Sequence, residues 1–135
     1  MNCKIPLLAI LISISMPALA DDQWVILASK DELHYEAKLG AFEIVTSNIG
    51  GDEIIVTGQI RDEKNQHTEI QRWRVMTTDC DKGFGDLVIL KINGEHIVTA
   101  DFVLDGASVA SHVADGLCHF YKGVKEGRSK GESRS

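Results

Sequence analysis

The sequence lacks the short motifs by which many enzymes are identified. It has no glycine-rich phosphate-binding loop, no G-x-S-x-G nucleophile turn and no His-Glu-x-x-His metalloprotease motif. Pairs of carboxylates could be drawn from the 18 acidic residues between positions 21 and 121, but their spacing does not single out one pair. We therefore predict that the chain is not an enzyme and needs no cofactor.

Long apolar runs are also scarce, and the one present lies near the start of the chain. Ile5–Met16 follows Lys4 and precedes Ala18-Leu19-Ala20, after which two aspartates come at once. A basic start, a short apolar core and small residues at an Ala-x-Ala cleavage site are the features of a signal peptide. The apolar run is too short to span a bilayer as a helix, so an N-terminal membrane anchor is the weaker alternative. We predict a signal peptide over residues 1–20. Cys3 precedes the apolar core, which disfavours its lipidation.

Cysteine is rare, with three in the whole chain. Only Cys80 and Cys118 remain after the predicted cleavage, and an exported protein meets an oxidising environment. The sequence therefore predicts a disulfide between them, with two buried free thiols as the alternative. The same argument predicts a periplasmic or secreted location.

Basic residues are few in the body of the chain. Residues 21–121 hold 18 acidic against 8 basic side chains, a balance that argues against binding to nucleic acid or to an anionic membrane. Residues 122–135 reverse it, with 5 basic against 2 acidic side chains and little apolar surface. We therefore predict one domain over residues 21–121 and a disordered basic tail over 122–135.

Alternation of apolar and polar residues predicts strands through most of the domain. The predicted strands cover residues 23–28, 33–37, 41–47, 53–61, 68–78, 87–92 and 96–104. Lys38-Leu39-Gly40 has the composition of a hairpin connection, and Gly58 suggests a bulge. Asn93-Gly94 between two apolar runs predicts a type I′ turn, in which both central residues take positive φ.

The period changes after Asp105-Gly106. Apolar residues from Ala107 to Cys118 recur in pairs four positions apart, which predicts an amphipathic helix of about three turns. Cys118 lies on the apolar stripe, so a bond to Cys80 would fasten this helix to the end of the Trp73 strand. Strands first and one helix last predict an α+β fold, with a single antiparallel sheet of about six strands and the helix packed on one face.

Two arginines form the candidate ligand face. Arg72 and Arg74 share one face of a predicted strand, with Trp73 on the other. A pair of guanidinium groups could bind a carboxylate or a sulfate. The alternative is an exposed sheet face that neutralises nearby acidic side chains.

Two further clusters have the residue types of metal ligands. Residues 79–86 contain three aspartates in a glycine-containing stretch, but their spacing does not match an EF-hand. His112, Asp115 and His119 would share one face of the helix, without an evident fourth ligand for zinc. We favour a polar turn for the first cluster and solvated side chains for the second, and we predict no metal site.

Several segments together resemble the surface-adhesin protein E family of exported bacterial proteins. The segments are Trp24-Val25, the strand around Tyr35, Arg72-Trp73-Arg74-Val75 leading to Asp79-Cys80, and the helix 109–118 that ends at Cys118. The resemblance covers most of residues 24–118.

The resemblance implies an antiparallel sheet with a C-terminal helix fastened to it by a disulfide. It also implies a binding protein whose partner is another protein, such as a host extracellular-matrix protein, and which can form a homodimer. The chain departs from the family in lacking a lipid-attachment cysteine at the cleavage site, and no host-binding residue of the family can be matched to it. The function expected is that of an exported, non-catalytic binding protein, with a small periplasmic inhibitor or ligand-binding domain as the alternative.

Overall fold

Strands dominate the described residues from Trp24 to Val103 because β-branched and aromatic side chains alternate there with polar ones. The computed structural model describes residues 23–47 and 51–134. Within them, the strands are β1 (Trp24–Lys30), β2 (Leu33–Lys38), β3 (Glu43–Ser47), β4 (Gly51–Asp62), β5 (His67–Met76), β6 (Phe84–Lys91) and β7 (His96–Val103), and the helices are α1 (Thr77–Lys82) and α2 (Val109–Arg134). The predicted α+β fold class is confirmed.

The strands form one antiparallel sheet in the order β1-β2-β4-β5-β6-β7. β3 also pairs with β4, through residues 51–55, whereas β2 pairs with β4 through residues 58–62. Since β5 occupies the other edge of β4, β2 and β3 lie end to end along one edge of this twelve-residue strand. The hairpin predicted at Lys38-Leu39-Gly40 is therefore wrong, because β2 and β3 do not pair with each other.

The core lies between the sheet and α2. Alternate side chains of β4, β5 and β6 point to the same face of the sheet, as the period of two along a strand requires. They are buried beneath α2. The largest of them are Ile54, Val56, Trp73, Val75 and Leu87, which meet Val113 and Leu117 of α2. We call this face the covered face of the sheet and the opposite one the open face.

Gly58 supports the core by its lack of a side chain. β4 keeps a regular register with β5 across it and with β2 up to it, so the predicted bulge is wrong. A Cβ at this position would lie 2.5 Å from the ring of Trp73, which packs directly over the glycine. Glycine is therefore required here by close packing of an aromatic ring.

The β6–β7 hairpin is present, but its turn is not type I′. Only Gly94 of the Asn93-Gly94 pair has positive φ, at 97°. The Gly94 N–H donates to the carbonyl of Lys91, and the Lys91 N–H donates to the carbonyl of Glu95. These bonds define a three-residue loop that ends in a left-handed glycine, which is another common way to close a hairpin.

Residues 79–86 do not form the predicted polar turn. Most of the first half belongs to α1, whose left-handed Gly83 ends the helix and donates its N–H to the Asp79 carbonyl at 2.9 Å. The carboxylate of Asp79 accepts the N–H of Asp86 at 3.3 Å and lies 3.3 Å from the Lys82 ammonium. One aspartate does bind a backbone group, as expected, but it joins α1 to β6 rather than stabilising a loop.

The closing helix begins as predicted and runs further. The Ser108 hydroxyl accepts the N–H of Ser111 at 3.0 Å, which caps the first turn of α2. The helix then continues to Arg134, which differs from the predicted end near Cys118 and from the disordered tail. Once the packed turns have formed, each further residue adds one hydrogen bond, and no proline interrupts the sequence. Lys125 also lies 3.8 Å from the Asp81 carboxylate and over the ring of Tyr121.

The predicted signal peptide, residues 1–20, lies outside the described residues. In the part of the chain that the structure describes, neither helix has the length and apolar composition needed to cross a membrane.

Candidate functional site

A groove runs along α2 beside the edge strand β1. It consists of two adjoining cavities of about 420 and 400 Å³, which share Leu27, Gly116 and His119 as lining residues. One cavity is apolar and the other is lined by several polar side chains, so the groove has an apolar end and a polar end. We call it the β1–α2 groove. Cavities of this size with a few polar groups are typical of ligand-binding sites.

Two local features bring β1 close to the helix. A Cβ at Gly116 would lie 2.8 Å from a methyl group of Leu27, so glycine is needed for this approach. The register between β1 and β2 shifts between Ile26 and Ala28, which marks a bulge in the edge strand. Bulges at sheet edges change the direction of side chains, and this one lies where the strand meets the helix.

The apolar end of the groove is built from three segments. Val25 comes from β1, Leu39 and Phe42 come from the connection between β2 and β3, and Phe120 comes from α2. The rings of Phe42 and Phe120 are stacked, with centroids 4.7 Å apart. Leu39 is 38% exposed and forms part of the rim. This end can therefore accept an apolar group of about the size of a large side chain.

The polar end carries charges of both signs and two imidazoles. Its side chains are those of Asp105, His112, Asp115, His119 and Lys122. The Asp115 carboxylate accepts the backbone N–H of Asp105 at 3.1 Å, which fixes the loop after β7 against the helix. Two carboxylates against one ammonium give this end a net negative charge when both imidazoles are neutral.

The disulfide lies at the base of the polar end. Cys80 of α1 and Cys118 of α2 are bonded, with Cα atoms 5.4 Å apart, so the predicted disulfide is confirmed. Both residues are buried, and Cys118 lies on the lining of the groove as well as in the core. The bond therefore fastens the helical wall of the groove to the end of β5, because α1 follows that strand directly.

The predicted ligand face lies elsewhere, on the open face of the sheet. Arg72 and Arg74 point away from α2, each with about a third of its side chain exposed. Arg72 lies 3.9 Å from the carboxylate of Glu43, and Arg74 lies 3.9 Å from that of Glu53. The structure thus pairs each guanidinium with an acid instead of joining the two in one anion site, and their role in binding stays a prediction.

A tighter ion pair also lies on the open face, nearer to β1. The guanidinium of Arg61 donates to the Glu36 carboxylate at 2.9 Å, and the side-chain amide of Gln59 donates to it at 2.7 Å. The Glu36 side chain is only 7% exposed. The hydrogen bond from Arg61, followed by that from Gln59, lowers the pKa of Glu36 even though burial acts to raise it.

The candidate metal ligands do not assemble into a metal site. Among residues 23–47 and 51–134, no group of three or more His, Cys, Asp or Glu side chains is arranged to hold an ion. His112, Asp115 and His119 do line the same end of the β1–α2 groove. Their shared helix face, which the spacing predicted, therefore contributes polar groups to a cavity.

Sequence reasoning missed the groove as a site. Its residues come from β1, the β2–β3 connection, the loop after β7 and α2, which are far apart in the chain. Gly116 was the one available indication, since a glycine within a helical pattern often marks close packing. Comparison of the chain with known protein families, with curated proteins and with solved structures finds no match.

Proposed function

We propose that this chain is an exported, non-catalytic binding protein whose partner is another protein. The observation that carries the proposal is the β1–α2 groove, an open site with an apolar end and a polar end that holds two carboxylates, one ammonium and two imidazoles. Its side chains supply apolar contact and hydrogen-bonding groups, which suits recognition. The resemblance to surface-adhesin protein E is part of this proposal, with a host extracellular-matrix protein or another envelope protein as the class of partner, and a homodimer as the assembly.

Export to the periplasm or beyond is supported by two features. The first is the predicted signal peptide, residues 1–20, with its apolar core and its Ala18-Leu19-Ala20 site. The second is the disulfide between Cys80 and Cys118, because structural disulfides persist mainly in oxidising compartments. Intact mass of the protein recovered from outside the cytoplasm tests this point, and a chain that begins at Asp21 is expected.

Site-specific photocrosslinking tests the binding role. A benzophenone amino acid replaces Leu39 at the rim of the groove, and the matched control replaces Ile92, an exposed apolar residue in the β6–β7 hairpin. We expect irradiation of cells that export the full chain to give a protein adduct from position 39 and none from position 92. Equal adducts from both positions, or none from position 39, would refute a protein partner at the groove.

A small ligand-binding domain is the second candidate function. The apolar end, at about 400 Å³, is large enough for a small molecule. Native mass spectrometry of the exported protein distinguishes the two functions. A bound molecule of low mass that is present in the original chain and absent from the Leu39→Asp variant would favour the ligand-binding domain. A protein without a bound molecule that forms protein adducts from position 39 would favour a protein partner.

A further inference from the structure

The groove follows the free edge of β1. In the described part of the chain, β1 pairs with β2 alone, so its other edge has no strand beside it. Val25 and Ile26 are consecutive in this strand and point to opposite sides of it. Val25 lines the apolar end of the groove and Ile26 the polar end. Because side chains from both faces of β1 border the groove, it passes alongside the free edge of the strand. The backbone groups of β1 that do not pair with β2 face outward at this edge.

The opposite wall comes from the other end of the sheet. Leu104 and Asp105, which follow β7, line the polar end together with Ile26 and Leu27 of β1. β1 and β7 are the two outermost strands, so the sheet must curve around α2 for their residues to share a cavity. The groove is therefore a slot between the two edges of a curved sheet, with Gly116 of α2 at its floor.

We propose that this slot binds an extended segment of the partner protein, which joins the sheet as a strand beside β1. This inference rests on the proposed function and names the chemistry of the partner. The main chain of the segment bonds to the free edge of β1, as in other cases of strand addition. A large apolar side chain enters the end formed by Phe42 and Phe120, and a lysine or arginine lies at the end formed by Asp105 and Asp115.

Charge and spacing define the segment more closely. The two carboxylates of the polar end outnumber its one ammonium and therefore complement a basic side chain of the partner. An acidic side chain of the partner would be repelled there. Neighbouring side chains of an extended chain point to opposite faces, as those of Val25 and Ile26 do. The apolar and basic residues of the segment are therefore expected at adjacent positions or three positions apart.

The bulge in β1 limits the length of the added strand. Regular pairing can extend along Trp24–Ile26, but the register shift before Ala28 interrupts it. Edge bulges are one means by which proteins prevent continued strand pairing with other chains. The site therefore suits a short segment of a partner and not an open-ended stack of sheets.

The probe for this proposal is a phage library of random linear peptides of about ten residues, selected on the full disulfide-bonded chain. We expect enrichment of a large apolar residue followed or preceded by Lys or Arg at the stated spacing. A synthetic peptide of the selected sequence should slow amide exchange in Trp24–Ile26 and leave exchange in β7, the other outermost strand, unchanged. Slowed exchange in β7 instead, or selected peptides without the apolar and basic pair, would overturn the proposal.

Variants test the two ends of the slot separately. Leu39→Asp should weaken peptide binding at least about tenfold, as for loss of a central apolar contact, whereas Ile92→Asp should not. Asp105→Asn with Asp115→Asn keeps the size of both groups and should remove the preference for the basic residue. Its matched control is Asp101→Asn, an exposed carboxylate of β7. Equal weakening by the control substitutions would contradict a specific slot.

Two experiments together separate this proposal from the function on which it rests. Protein adducts from position 39, combined with no peptide that protects β1, would leave a protein-binding function and refute strand addition. Absence of adducts at position 39 together with absence of selected peptides would refute both.

Discussion

The two faces of the sheet share the same backbone but are stabilised by different interactions. On the covered face, Ile54, Trp73 and Leu87 are at most 1% exposed and pack against α2. On the open face, arginines of β4 and β5 lie near carboxylates, and among these pairs the one between Arg61 and Glu36 has both a short contact and a carboxylate shielded from water. The free energy of folding should therefore depend mainly on the covered face, and the groove lies at the margin of that face, where α2 meets the edge strand.

The largest effect is expected from Trp73→Ala. The ring fills the space over Gly58, so its removal leaves a cavity and should lower the free energy of unfolding by about 3–5 kcal/mol. Ile70→Ala on the open side of the same strand, where the side chain is 48% exposed, is the matched control and should change it by less than about 0.5 kcal/mol. Urea unfolding followed by far-UV circular dichroism measures both. Similar losses for the two variants would contradict the assignment of the core to one face.

A second large effect should come from replacing both Cys80 and Cys118 by Ala. The bond joins residues 38 positions apart, and the chain-entropy model gives a stabilisation of about 4 kcal/mol for such a loop. Urea unfolding of the oxidised protein and the variant measures the difference. Adding reductant should destabilise the original chain to the level of the variant and leave the variant unchanged. A variant as stable as the original would show that packing alone holds α2.

Glu36→Gln should have an intermediate effect. It removes a charge that Arg61 and Gln59 stabilise in a shielded position, and we expect a loss of about 1–2 kcal/mol at neutral pH. The pKa of Glu36 is lowered in the folded state, so its contribution is present above the pKa of an unpaired glutamate, about 4.3, and is lost as the pH falls through the lower folded value. The difference between the two proteins should therefore shrink between pH 6 and pH 3, and a constant difference would contradict this assignment.

The smallest effect is expected from Arg72→Ala. Its guanidinium lies 3.9 Å from Glu43, whose side chain is 58% exposed, and ion pairs of this kind contribute little in water. The free energy of unfolding should change by less than about 1 kcal/mol, as measured in the same urea series. A loss comparable to that of Glu36→Gln would mean that the open face contributes more to folding than its geometry indicates.

Sequence patterns predicted most of the strands because alternation along a half-covered sheet follows directly from the geometry of a strand. They also placed Cys118 on the packed side of α2. They failed where the outcome depends on distant residues. The length of β4 decides that β2 and β3 lie end to end, and the ring of Trp73 explains Gly58. No local pattern contains that information.

The groove could not be predicted for the same reason. Phe42 and Phe120 are 78 positions apart in the chain, and the packing of α2 against the sheet brings their segments to one cavity. The helix spacing of His112 and His119 correctly placed them on one face. It did not reveal that β1 and the loop after β7 lie opposite them.

Hydrogen exchange with and without the disulfide most directly tests whether the bonded helix forms the groove. We predict that replacing Cys80 and Cys118 by Ala speeds amide exchange in the packed part of α2, residues 109–120. Exchange in the β6–β7 hairpin should rise much less. Such a result would show that the Cys80–Cys118 bond holds the helical wall of the site against the sheet. Equal protection of residues 109–120 in the original chain and in the variant would contradict the account.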